Sequence, residues 1–311
     1  MGVAFKKPDG LEEYFDLVAD KLGYPRFHRY FKSDTILVDD NVLHLDILDI
    51  DKDAPTVVFL PGTAIYALCY AEILYLVSKA GYNVVGFDPR GHGQSDGLRG
   101  DYTVSEIMTD TEAVIDYARR RFNSKVTLMG SSQGGIISLY MAAQEAKVDS
   151  VICQNFADLM HPDTLELTRH PRIFRYVRSM MGKAGGIIGN AQVPIATYLE
   201  LEKIPVTGFG NIKNFIEKDP LALKSISIRA LHSLGNTELA KSLEDIKTPV
   251  FVFQGDADSI FSVDYTKKIY NQLQCKKRLI VYPDMSHSLM SENAQEIVPD
   301  IIAWLDEIYK K

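Results

Sequence analysis

The five residues Gly130-Ser131-Ser132-Gln133-Gly134 constrain this chain more than any others. They stand between an apolar run of β type, 125–129, and a helix-like run, 135–143. A Gly-x-Ser-x-Gly sequence at such a junction predicts a turn so sharp that the serine takes a strained backbone at the tip of a strand. The glycines two residues to either side remove the Cβ atoms that would otherwise collide. The Ser132 hydroxyl would then stand over the amino terminus of the following helix, exposed for reaction.

The flanking pattern predicts where such a turn could be housed. Residues 35–38 and 43–48 read as strands, followed by continuously apolar runs at 56–60 and 83–87, as strands buried on both faces of a sheet should be. Further strands are predicted at 125–129, 150–154, 249–254 and 278–282. Helical patterns cover 11–22, ended by Gly23, 68–79, closed by Gly81, and about 294–309. Thr103 and Glu106 form a capping box that opens a helix running to about residue 121. Alternating strands and helices predict an α/β fold with a mostly parallel eight-stranded sheet covered on both faces.

The rhythm breaks between residues 156 and 243, where no β-type run is evident. The expectation is a helical lid, 156–243, inserted into a core made of 1–155 and 244–311, with a helical extension at 1–30. Asp219-Pro220 reads as the start of one lid helix and Gly235 as its end. An insertion after the sixth strand would sit above the strand ends, where open α/β sheets carry their sites. The helix at 11–22 would either cover a sheet edge or meet a second copy of the chain.

Composition narrows the class. No stretch reaches the roughly 18 uninterrupted apolar residues of a membrane span, and the first residues show no apolar signal core. Gly2 would suit myristoylation, but Lys6 stands where Ser or Thr is needed. Three widely spaced cysteines, Cys69, Cys153 and Cys275, suggest buried thiols and a reducing, cytoplasmic setting. The net charge of -7 disfavours nucleic acid as a partner.

A serine hydroxyl needs a base to take its proton and a carboxylate to orient that base. His92 lies in the glycine-rich turn Pro89-Arg90-Gly91-His92-Gly93-Gln94-Ser95, which suits a turn-stabilising role. His287 follows the last strand, on a loop at the end of the sheet that carries the sharp turn, and is the candidate base. The acid should follow the strand between serine and histidine, where Asp256 and Asp258 both stand. Asp256 directly follows Gly255 and suits a turn-bonding role, whereas Asp258 lies further out with more reach. Two main-chain N–H groups would stabilise a tetrahedral oxyanion, those of Gln133 and of Thr63 in the loop after Pro61-Gly62. Because these donors are main-chain, neither side chain is required by this reading. Thr63 and Tyr66 could also shape an acyl pocket.

With those residues in that order, the chain resembles the α/β-hydrolase superfamily. It is most similar to serine hydrolases grouped with monoacylglycerol lipases and proline-iminopeptidase-like esterases. The matching stretches are 86–97, 130–135, Gly255-Asp256-Ala257-Asp258 and Ser286-His287. The resemblance implies a catalytic triad of Ser132, Asp258 and His287, no cofactor, and a small-molecule substrate. Where such proteins commonly have His-Gly at the oxyanion loop, this chain has Pro61-Gly62.

Residues 170–181 complete the reading. At ~100° per residue, Ile173, Phe174, Val177, Met180 and Met181 share one helical face, and Arg172, Arg175 and Arg178 the other. An ordinary amphipathic helix packed on the domain fits this pattern. So does a lid helix whose apolar face, with Phe174, Val177 and Met181, meets an acyl chain. A basic surface for peripheral lipid contact is a third reading. Residues 159–235 carry 10 Lys/Arg against 6 Asp/Glu, a net +4, which leaves -11 on the remainder.

The expected activity is hydrolysis of uncharged carboxylic esters through an acyl-enzyme on Ser132. An aminopeptidase or thioesterase with the same triad, or a non-catalytic ligand-binding protein, remains open. Epoxide hydrolysis and dehalogenation at this turn would need a carboxylate nucleophile, which Ser132 is not.

Overall fold

The computed structural model describes residues 6–172 and 189–310. Its centre is an eight-stranded sheet built from β1 (Lys32–Val38), β2 (Asn41–Leu48), β3 (Thr56–Leu60), β4 (Asn83–Phe87), β5 (Val126–Ser131) and β6 (Ser150–Gln154), with β11 (Val250–Gly255) and β12 (Lys277–Tyr282). Between β6 and β11 come, among the described residues, four very short strands: β7 (Gln192–Pro194), β8 (Pro205–Val206), β9 (Gly210–Asn211) and β10 (Ser225–Ser227). The large sheet runs in the order β1-β2-β4-β3-β5-β6-β11-β12. The β1–β2 and β2–β4 pairs are antiparallel and the others parallel.

Strand alternation explains the two-sided core. Val57 and Phe59 of β3 join a cluster with helix α2 (Ala71–Lys79) and the closing helix Ala294–Tyr309, where Trp304 is buried. Val58 and Leu60 face the other way, into a cluster with α3 (Val104–Arg121) and α4 (Gln133–Ala143). The order reverses at β3, which has β4 on one side and β5 on the other. That topological switch point opens a crevice beyond the carboxyl ends of β3 and β5.

The capping box at α3 is present: Thr103 accepts from the Glu106 N–H, and Glu106 accepts from the Thr103 N–H. The pattern over 68–79 is split into a 3₁₀ turn, Ala67–Tyr70, followed by α2. Helix α1 (Leu11–Leu22) ends at Gly23 in the left-handed region, φ 73°. Its buried face packs against the protein itself. Leu11 and Phe15 pack with Tyr66 and Leu221, which couples the loop after β3 to the segment between β6 and β11. Cys153 is fully buried, whereas Cys69 and Cys275 are half-buried, so the expected set of buried thiols holds for one of the three.

The inserted segment departs from the all-helical expectation. Strands β7 and β10 pair, as do β8 and β9, in ribbons of two or three residues. Runs that short carry no detectable alternation, which is why the sequence pattern passed over them. Helices are present at Ile212–Lys218 and Ile228–Asn236. Asp219 does not begin a helix: it follows the first of these, and its Oδ1 accepts from the N–H groups of Leu221 and Ala222. The second helix is capped by Ser227, whose hydroxyl accepts from the Ala230 N–H, and it runs past Gly235. The proposed amphipathic face with Phe174, Val177 and Met181 lies outside the described residues. Among the described residues, no helix is long and apolar enough to cross a membrane.

One buried ion pair connects α3 to the glycine-rich turn after β4. Arg90 Nε lies 3.0 Å from Asp110 Oδ2, and its Nη2 lies 2.6 Å from Oδ1, while the Arg90 N–H also donates to Oδ2 at 3.0 Å. Asp110 is completely buried. Removing one partner strands a desolvated charge. Asp110→Ala is therefore expected to cost about 3–5 kcal/mol, read as a lowered midpoint in urea unfolding with little change in slope.

Candidate active site

The turn after β5 is held by close backbone contact. A Cβ on Gly130 would lie 2.1 Å from the Gly134 carbonyl oxygen, and one on Gly134 would lie 2.1 Å from that of Leu60. Neither position can accept a side chain without moving main chain. Ser132, pinched between them, has φ 54° and ψ -115°, a costly conformation for a residue with a Cβ. Its N–H donates to the Gln154 carbonyl at 2.8 Å, which fixes the turn to β6.

Three side chains from three strand ends converge there. His287 Nε2 is 3.1 Å from Ser132 Oγ, and His287 Nδ1 is 2.8 Å from Asp258 Oδ2. With Asp258 ionised, Nδ1 donates to it and Nε2 is left to accept from the serine hydroxyl. Burial opposes charge on Asp258, but the His287 contact and the N–H groups of Phe261 and Ile260 outweigh it and hold its pKa below the ordinary carboxylate range. Asp258 Oδ1 accepts from Ile260 at 2.8 Å and from Phe261 at 3.0 Å. The Phe261 ring stacks parallel to the imidazole, with centroids 5.8 Å apart. Asp256 is elsewhere, its Oδ1 accepting from the Asp284 N–H at 2.7 Å.

Two residues that sequence reasoning did not single out lie beneath this set. Asn155, buried with φ 62°, donates from Nδ2 to Asp258 Oδ2 at 3.1 Å. Gln154 donates from Nε2 to the His287 carbonyl at 2.9 Å and to Asn155 Oδ1 at 2.6 Å. Its Oε1 accepts from the Ser131 hydroxyl, which in turn accepts from the Tyr70 hydroxyl at 2.9 Å. The available signal was a polar Gln-Asn pair closing an otherwise apolar strand.

The loop after β3 reaches the turn from the other side; a Cβ on Gly62 would lie 3.4 Å from the Ser132 Cβ. Gln133 opens α4, so helix geometry leaves its N–H without an intrahelical acceptor. The side chains of Thr63 and Gln133 are bonded to each other. Gln133 Oε1 accepts from the Thr63 hydroxyl and from the Tyr102 hydroxyl, both at 2.8 Å, which ties the loop to the helix start. His92 sits with Nε2 3.0 Å from the Thr63 carbonyl and Nδ1 3.0 Å from the Arg90 carbonyl. Burial pushes its pKa down to about 4, so the ring is neutral and donates to one carbonyl at a time.

Two cavities flank Ser132. One, of about 140 Å³, lies beside Gln133 and Ile136 and extends past Leu165, Leu231 and Phe261. The other, of about 70 Å³, lies beside His287 and Tyr70 and is walled by Ile204, Ile212 and Met290. Thr63 lines both. Tyr66, expected in the pocket, lines neither. It is turned under α1, and its hydroxyl donates to Asp219 Oδ2 at 2.8 Å. Packing of Phe15 and Leu221 against the ring holds it there. Phe174, Val177 and Met181 lie outside the described residues.

Comparison with known proteins agrees with this architecture. Residues 51–294 match the family model Hydrolase_4, described as serine aminopeptidase, S33. A monoacylglycerol lipase of Mycolicibacterium smegmatis is 25% identical over 84% of this chain and 91% of its own length. A non-heme haloperoxidase of Rhodococcus erythropolis is 23% identical over 76% of this chain and 86% of its own. A soluble variant of monoglyceride lipase from Saccharomyces cerevisiae, solved with a substrate analogue, superposes with a TM-score of 0.70 at 17% identity, covering 90% of this chain and 96% of that one. The family match spans most of the chain, and the sheet, its switch point and the sharp serine turn agree with it: the protein belongs to the Hydrolase_4 family of the α/β-hydrolase superfamily.

Proposed function

We propose that this hydrolase cleaves uncharged carboxylic esters through an acyl-enzyme on Ser132. The observation that carries the reading is the unbroken line Ser132–His287–Asp258 at the meeting of two apolar cavities. Ser132 Oγ attacks the ester carbonyl carbon as His287 Nε2 takes its proton, and Asp258 holds the tautomer and stabilises the imidazolium. The N–H groups of Thr63 and Gln133 receive the oxyanion. The carbon–oxygen bond to the alcohol then breaks, with His287 returning the proton to the departing oxygen. Water, deprotonated by the same nitrogen, hydrolyses the acyl-enzyme. The acyl group is apolar and of short to medium length. Residues 156–243 act as a lid over the crevice.

An aminopeptidase, the activity in the family's description, is less well supported. A free α-amine would need a carboxylate beside it. No Asp or Glu lines either cavity among the described residues, and the sequence of 173–188 contains none.

Treatment with a fluorophosphonate probe should give one stoichiometric adduct by intact mass, absent in Ser132→Ala, whose kcat should fall on the order of 10³-fold or more with the fold intact. No adduct on the folded wild type would leave a ligand-binding protein as the better reading. Asp258→Asn should lose far more activity than Asp256→Asn, and the opposite ranking would reassign the acid. Thr63→Val, which keeps the main-chain donor but cuts its tie to Gln133, should lower kcat by about tenfold, in line with removing a neutral hydrogen bond, with KM for a p-nitrophenyl ester little changed.

A further inference from the structure

The two cavities meet at Ser132 but differ in which end of an ester they can hold. The group that protonates the departing alcohol must lie on the alcohol's side of the carbonyl. His287 and Ser288 line the smaller cavity and are absent from the walls of the larger one. The larger, beside Gln133 and Ile136, therefore receives the acyl chain, and the smaller receives the alcohol.

The walls of the alcohol compartment are chiefly aliphatic, with Ile65, Ile195, Ile204, Ile212, Ile216 and Met290 among them. Among the described residues, its polar side chains outside the reacting pair are all committed to the protein. The Tyr70 hydroxyl donates to Ser131, and the Ser131 hydroxyl donates to Gln154. Both amide hydrogens of Gln154 are used, on Asn155 and on the His287 carbonyl. Ser288 donates to the Pro205 carbonyl at 2.6 Å, and Ser291 to the Ser288 carbonyl at 2.9 Å. Thr63 donates to Gln133. Among the described residues, no side-chain donor is left over for a hydroxyl group of the alcohol, so a polyol placed there would lose its water without full replacement.

We infer that the substrates are esters apolar on both sides of the carbonyl, with an alkyl or aryl alcohol rather than glycerol in the compartment beside His287. The inference rests on the serine-esterase reading above. It separates this chain from the monoacylglycerol lipase that it resembles, because the discriminating part of the substrate is the leaving group and not the acyl chain.

Propyl hexanoate and 1-monohexanoylglycerol share acyl chain and carbon skeleton and differ by two hydroxyls. Measured below their aggregation concentrations, kcat/KM should favour the propyl ester on the order of 10²-fold, the scale on which an apolar pocket rejects an added hydroxyl. Equal rates, or a preference for the glyceryl ester, would overturn the inference. Ile212→Gln, which adds an amide to the alcohol compartment, should narrow the ratio at least fivefold, and Ile65→Gln does the same from another wall. An unchanged ratio in a folded variant of either would remove the compartment assignment. p-Nitrophenyl hexanoate and the fluorophosphonate probe are run alongside. An adduct with equal propyl and glyceryl rates sinks this inference alone, whereas no adduct and no turnover of any ester sinks the esterase reading and this inference with it.

Discussion

Close main-chain contact around the turn at Ser132 is the constraint on which the rest of the site depends. Gly130 meets Gly134, and Gly134 meets Leu60, at distances that leave no room for a Cβ. Sheet and helix are thereby pressed together, and the intervening serine is driven to positive φ. The strain is held because strands on both sides are paired along their length, β5 with β3 and with β6. A turn of this kind could not survive on a sheet edge, where one neighbour would be missing. Its central place is thus a mechanical requirement as well as a topological one.

Around that turn, polar groups are arranged so that few have freedom to move. Asp258 Oδ2 is shared by His287 and Asn155, and Oδ1 by two main-chain N–H groups. Gln154 holds the His287 main chain while Asn155 holds the carboxylate that orients its ring. These two neighbours, at the end of β6, set the histidine from behind and from the side. On the opposite side, Gln133 and His92 restrain Thr63 by its hydroxyl and its carbonyl. In a low-dielectric pocket such fully bonded networks are stiff, because any displacement leaves a buried polar group unpaired. Preorganisation of this kind is what electrostatic stabilisation of an oxyanion needs.

The same logic fixes one stretch of the inserted segment. Asp219 is buried, and its Oδ2 accepts from both Tyr66 and Tyr14. The Leu223 N–H donates to the Ala64 carbonyl at 2.7 Å, and Arg99 bonds the Leu221 carbonyl. Helix α1, the loop after β3 and residues 219–223 therefore form one packed unit beside the crevice.

Much of this was legible in the sequence, for identifiable reasons. Continuous apolar runs placed the buried strands, since a strand covered on both faces has nowhere to put a polar side chain. Gly130 and Gly134 announced the strained serine because the turn excludes every other residue there. The spacing of Asp258 and His287 after their strands followed from chain order, and Thr103 with Glu106 marked a helix start through local bonding. What only the tertiary structure decided was contact between residues distant in the chain. Local pattern could not reveal that Tyr66 turns away to Asp219, 153 positions along. Nor could it reveal that Asn155 bonds Asp258, that His92 bonds the Thr63 carbonyl, or that ribbons of two or three residues interrupt the insertion. Periodicity and turn chemistry act over a few residues, whereas the partner of a buried polar group is chosen by whatever packing brings within 3 Å.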